Sequence, residues 1–278
     1  MDIGVFIFPT DYSIKVDELA RALEDRGFES LFVPEHTHIP VSRRTEWPGG
    51  GELPKEYKHT HDPFIALAFA AAATKNLKIG TSICLVPQRD PIVTAKVIAS
   101  LDMLSNGRFE FGIGGGWNVD EMENHGAQYK TRFKQMRESV LAMKALWTED
   151  EASYHGEIIN FDPAWSYPKP VQKPHPPILL GGETDYTLNR IVEYCDGWMP
   201  RSRGGFDPAE SMTRLRNAAD AAGRDMASLS VTVFGTPAKA EVLECYVAAG
   251  IDRALLPLPS ADRDTILGML DDYAKLLG

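Results

Sequence analysis

Short apolar, β-rich runs alternate with helical runs from one end of the chain to the other, and their number constrains the fold more than any other feature. The strand-like runs occupy residues 3–8, 30–34, 77–86, 108–113, 177–182, 197–201, 228–235 and 252–258, each followed by a stretch with helical spacing. Several helical stretches open at Asp-Pro, as at Asp62-Pro63, Asp90-Pro91 and Asp207-Pro208, and several close at Gly. An aspartate N-cap followed by proline suits a helix start, because the proline's missing N–H falls where no intrahelical bond forms. Eight such units in 278 residues predict an α/β fold, a (β/α)8 TIM barrel forming a single domain over 1–278. A doubly wound sheet usually stops at about six strands.

Two connections exceed an ordinary barrel loop. Residues 35–61 follow the second strand run and are rich in Gly and Pro with little periodicity. This insertion leaves the C-terminal rim, where barrel chemistry resides, so it reads as a lid or substrate loop. The other insertion, residues 149–176, precedes the fifth run, and "ASYHGEIINF" within it reads as a short hairpin turning at Gly156.

A formal charge of −10 and a pI near 5.2 argue against binding to nucleic acid or to an anionic membrane surface. Cys84, Cys195 and Cys245 lie far apart with no CxxC, which fits reduced thiols in a cytoplasmic protein. The opening "MDIGVFIFPTD" lacks a basic n-region, and the apolar run "FIALAFAAAA" is too short to span a bilayer. The expected partners are a small-molecule substrate and a second copy of the chain in a homodimer, with no nucleic acid and no membrane.

In a barrel, chemistry comes from residues just past the strands' C-terminal ends. The second run ends "PEHTH", placing Glu35, His36 and His38 on the rim. An acid beside an imidazole orients it for acid/base work, although both side chains serve one site only if the backbone has left strand geometry there. His36/His38 and His59/His61 form two His-x-His pairs, but the later strands end in "MPR", "VFG" and "LPLP", without further ligands. No metal is expected. The small residues Gly80 to Ser82 let a flat ligand approach the third run, and Gly114, Gly115 and Gly116 before Trp117 offer bare backbone N–H groups and an aromatic plane. Gly181 and Gly182 stand before a helix N-terminus, the physical recipe for an anion site, with Arg201 and Arg203 on the next rim loop. "GIGGGW" is not a dinucleotide fingerprint, because Trp117 stands where the third glycine should be.

The stretch "IGTSICLVPQRDPIVTAKVIASLDMLSNGRFEFGIGGGWNVDEMENHG", with "PPILLGGETDYTLNRIVEYCDGWMP", resembles the bacterial luciferase-like family of flavin monooxygenases and deazaflavin (coenzyme F420)-dependent oxidoreductases. The resemblance implies a (β/α)8 barrel and several site positions. The acid–histidine pair of the deazaflavin branch falls on Glu35 and His36, and ring support falls on Ser82 and Ile83, joined by a cis peptide. The cofactor turn falls on Gly114 to Asn118, with Glu121 beginning the helix, and the phosphate turn on Gly181 and Gly182. The Trp that some deazaflavin enzymes carry after the rim histidine is missing from "HTHIP". The implied activity is hydride transfer between F420 and a small organic substrate. FMN-dependent monooxygenation and a non-catalytic flavin-binding relative are the alternatives.

Overall fold

The structure is a computed structural model that describes residues 1–203 and 205–277. The first half of the chain forms β1 (Asp2–Phe6), α1 (Val16–Asp25), β2 (Ser30–Val33), α2 (Pro63–Ala73), β3 (Lys78–Thr81), β4 (Cys84–Leu85) and α3 (Pro91–Leu104). Next come β5 (Phe109–Gly114), α4 (Val119–Asn124), α5 (Arg132–Thr148), and a hairpin of β6 (Ala152–His155) and β7 (Asn160–Ala164). The remainder is β8 (Ile178–Gly181), α6 (Asp185–Tyr194), β9 (Gly197–Met199), α7 (Pro208–Ala222), β10 (Ser230–Phe234), α8 (Ala240–Ala249), β11 (Arg253–Pro257) and α9 (Arg263–Ala274).

One sheet runs in the order β3-β2-β1-β11-β10-β9-β8-β5-β4, and an additional β3–β5 pairing closes it. Every pairing in this sheet is parallel. β3 and β4 are two pieces of one barrel strand, interrupted at Ser82 and Ile83, so the ring has the eight staves expected. β2 and β5 are buried along their whole length, as parallel strands covered on both faces must be. Phe32, Leu179, Met199 and Leu255 fill the barrel, with Phe6, Ile83 and Phe234 packed on them toward the rim.

The Asp-Pro starts work as capped helix N-termini. Asp62 accepts from the N–H groups of Phe64 and Ile65, Asp90 from Val93 and Asp207 from Glu210. The single helix expected after the glycine turn is instead two, because Gly126 at φ 74 reverses the chain between α4 and α5. The expected hairpin forms, with Tyr154 opposite Phe161. It is held to α5 by Glu138, whose carboxylate accepts from the N–H groups of Glu157, Ile158 and Ile159 at 3.2, 2.7 and 2.9 Å. No helix among the described residues is long and apolar enough to cross a membrane.

At the N-terminal end of the barrel, opposite the rim, Arg253 makes paired bonds to Glu29 (2.7 and 2.8 Å) and to Glu110 (both 2.7 Å). Burial alone would raise the Glu29 carboxyl, but the Arg253 guanidinium overcomes it and holds that group at about 2 against an ordinary 4.5. Such a depressed carboxyl contributes about 3 kcal/mol of stability above pH 4.5, lost as pH falls toward about 2. Chemical melts taken at stepped pH should therefore show a shallower acid loss for Glu29→Gln than for the parent chain. Parallel stability–pH curves for the two proteins would refute this role.

Candidate active site

A chamber of about 1230 Å³ opens at the C-terminal rim. Its floor is the ends of the barrel strands, and loop 35–61 contributes one wall through Trp47, Pro54, Glu56 and Tyr57. His36 lies in that wall, past the end of β2, where Pro34 has already taken the chain out of strand geometry.

The acid that holds His36 is not the one expected. Glu35 is 2% exposed, and its carboxylate accepts from the Leu85 N–H at 2.6 Å and from Arg89 Nε at 2.6 Å. It fixes β4 to the end of β2 and makes no bond to the imidazole. Glu121 takes that place: fully buried on α4, its Oε2 lies 2.9 Å from His36 Nδ1. The expected Glu35–His36 pair is therefore corrected to Glu121–His36. Adjacent residues leaving a strand diverge, whereas α4 projects Glu121 back across the rim. With Nδ1 donating to that carboxylate, Nε2 is the ring nitrogen left for the chamber. The other histidines go elsewhere: His38 bonds Thr37 and Asn124, and His59 bonds Asp11.

Another part of the chamber's lining is glycine backbone. The Ser82–Ile83 peptide is cis, as the resemblance implies, and the displaced chain leans on β5. A Cβ on Gly112 would meet the Thr81 carbonyl oxygen at 1.9 Å, and one on Gly114 would meet Ile83 Cδ1 at 1.8 Å. Those two glycines are needed for strand packing before any ligand is considered. Gly115, Gly116 and Trp117 line the chamber as expected. Asn118 does not; it is buried and its Oδ1 caps α4, accepting from the Glu121 N–H at 3.5 Å, so its place in the site is indirect. Ser82 lines the chamber, and its buried Oγ has no hydrogen-bond partner among the described residues.

Gly181 and Gly182 also line the chamber, and Gly182 has φ 123. The helix behind them begins at Asp185, with Thr184 as its cap. Arg201 was expected to grip the cofactor's phosphate, but it is held by Glu183, both Nε and Nη2 donating at 2.7 Å. The arginines available at this wall are Arg132 and Arg190, both lining the chamber and neither in an ion pair among the described residues. Both guanidinium groups stack on the Phe133 ring, at 4.3 and 4.1 Å from its centre. Burial, and the charge of Arg190, hold the Arg132 guanidinium below its ordinary value, and its buried Nε has no partner among the described residues. An anion between the two relieves both costs. Arg132 and Arg190 stand on helices where a sequence reading takes arginine as solvated surface, so nothing in the spacing singles them out.

The residues present fit a flavin-like cofactor. A glycine wall with an orphan serine hydroxyl suits the edge of a flat heterocycle, and an arginine pair beside Gly181, Gly182 and the start of α6 suits its phosphate.

The family model described as luciferase-like monooxygenase matches residues 3–255. An uncharacterised protein of Mycobacterium tuberculosis (strain ATCC 25618 / H37Rv), Rv0953c, is 38% identical over 281 residues, covering 100% of this chain and 99% of that one. The F420-dependent glucose-6-phosphate dehydrogenase of Amycolatopsis mediterranei (strain U-32) is 28% identical over 229 residues, covering 78% of this chain and 62% of that enzyme. Among solved structures, the monooxygenase RslO1 from Streptomyces bottropensis shares the fold at a TM-score of 0.77 and 20% identity, over 100% of this chain and 98% of that one. The barrel, the strand interruption at Ser82–Ile83, the glycine turn before Trp117 and the extent of the family match place this chain in the luciferase-like monooxygenase family.

Proposed function

We propose that the protein is an F420-dependent oxidoreductase, exchanging a hydride between the deazaflavin and a small organic substrate. The observation that carries this reading is His36, held through Nδ1 by the buried Glu121 with Nε2 left for the chamber. Exchange between an alcohol and a carbonyl compound needs a group that takes or returns the hydroxyl proton, and an oriented imidazole supplies it at neutral pH. Bound F420 supplies the hydride acceptor or donor at its ring. Ser82 and the Gly114–Gly116 turn support that ring, Arg132 and Arg190 hold the phosphate, and loop 35–61 excludes water from the chamber. That the Amycolatopsis relative is named as F420-dependent is in line with this choice.

Titration of the purified protein with F420 and with FMN, followed by quenching of each cofactor's fluorescence, tests the reading. F420 is expected to saturate the protein at a concentration at least tenfold lower than FMN. Tight FMN binding with weak F420 binding would overturn it in favour of monooxygenation.

A further inference from the structure

A run of aromatic rings crosses the chamber from the barrel to the lid. Phe234 meets Phe6 at 4.2 Å between ring centres, Phe6 meets Phe8 at 5.6 Å, and Phe8 meets Tyr57 at 4.7 Å. Tyr57 then meets Trp47 at 5.9 Å and His36 at 5.1 Å, and Trp117 lies 6.0 Å beyond His36. All of these residues line the chamber, and they come from β1, β10, the β5 turn and loop 35–61. All but the buried His36 are half-buried, leaving part of their surface open to the chamber rather than packed in the core.

Three polar side chains near this run are held within the protein. Ser202 Oγ pairs with the Tyr246 hydroxyl at 2.6 Å, Ser260 Oγ donates to the Phe8 carbonyl at 2.7 Å, and Arg201 is held by Glu183. Burial pushes the Tyr57 phenol above its ordinary range, so it adds no charge. Glu56 and the exposed Arg203 also line the chamber and carry opposite charges. Beside the run, His36 Nε2 is left open to a substrate's polar group.

We infer that the substrate is an uncharged, predominantly apolar alcohol or ketone of ring size, seated on the aromatic run with its one oxygen at His36 Nε2. This rests on the deazaflavin reading, which gives the glycine wall to the cofactor and leaves the aromatic wall to the substrate. A polyol or a sugar phosphate would exchange its hydration for apolar surface without recovering its hydrogen bonds, and the chamber rejects it for that reason. Oxidation of such an alcohol moves the carbinol C–H hydride to the oxidised deazaflavin and the O–H proton to His36 Nε2. The carbon–oxygen single bond becomes the ketone double bond, and no further reactant is required.

The test is calorimetric titration of the F420-loaded protein with cyclohexanol, cyclohexanone and glucose 6-phosphate, with the cofactor's absorbance recorded in the same samples. The two cyclic compounds are expected to bind, and the sugar phosphate to give no binding heat. Trp47→Ala, a change in the lid rather than the core, should weaken cyclohexanone at least tenfold and leave F420 affinity unchanged. Tighter binding of glucose 6-phosphate than of cyclohexanone would overturn the inference, as would an unaltered cyclohexanone affinity in Trp47→Ala. Cyclohexanol binding without any loss of cofactor absorbance would support the chamber's chemistry while retiring the hydride-transfer reading, so the two fail separately.

Discussion

Replacing His36 by alanine is expected to lower kcat by about 10²- to 10⁴-fold while leaving cofactor affinity nearly unchanged. The size follows from the loss of the imidazole proposed to take or return the substrate's proton. The unchanged affinity follows from geometry, because the glycine wall, Ser82 and the arginine pair lie on other elements. The variant also leaves Glu121 fully buried without its hydrogen-bond partner, so a drop in melting temperature accompanies the kinetic loss. Single-turnover reduction of bound cofactor, normalised to the folded fraction from a melting curve on the same sample, separates the two effects. Turnover per folded molecule equal to the parent's would reduce His36 to a structural residue.

Removing two cations of the proposed cofactor wall that stand in no ion pair among the described residues, as Arg132→Ala with Arg190→Ala, is expected to weaken cofactor binding by at least about 100-fold, since charge-assisted hydrogen bonds contribute about 1.5–3 kcal/mol each. Both arginines line the chamber and stack on Phe133, so each single variant leaves the other in place and should lose less than half of the combined effect. The loss should shrink with added salt, because it is a loss of attraction for an anion. Arg201→Ala serves as the contrast. Its guanidinium is tied to Glu183, so its removal should change affinity far less than the double variant does. Equal losses for Arg201→Ala and the double variant would show that the phosphate sits elsewhere. Gly182→Asp is a poor probe of the same wall, since φ 123 and a Thr187 hydroxyl 2.9 Å from any added Cβ strain that position whatever the ligand.

The architecture was legible because it is written in local signals. Parallel barrel strands are continuous apolar runs, their helices begin at side chains that cap them, and both patterns survive in sequence without knowledge of what packs on what. β5 shows how far this goes: its range is 109–114 against an expected 108–113, and the glycine turn before Trp117 is where the reading put it. The failure came where one local rule met another. "DEMENHG" and the helical run after it look continuous, yet Gly126 divides α5 from α4, the helix whose Glu121 meets His36.

By itself, then, the sequence determined the eight-stave barrel, the rim position of His36, the glycine-lined wall at Gly114–Gly116 and Gly181–Gly182, and the Ser82–Ile83 interruption through resemblance. Tertiary structure alone decided which charges meet. Glu35 was paired with His36 because they are neighbours in the chain, whereas the fold sends Glu35 to Leu85 and Arg89 and brings Glu121 from 85 residues away. In the sequence Arg201 stands on the rim loop after the glycine turn and suggests a phosphate ligand, but Glu183 holds it, while Arg132 and Arg190 converge from two helices onto one phenylalanine. The physical reason is common to all three cases. Secondary structure follows from backbone and side-chain preferences over a few residues, whereas an ion pair or an anion site depends on distances between side chains that are remote in sequence and set only when the barrel closes.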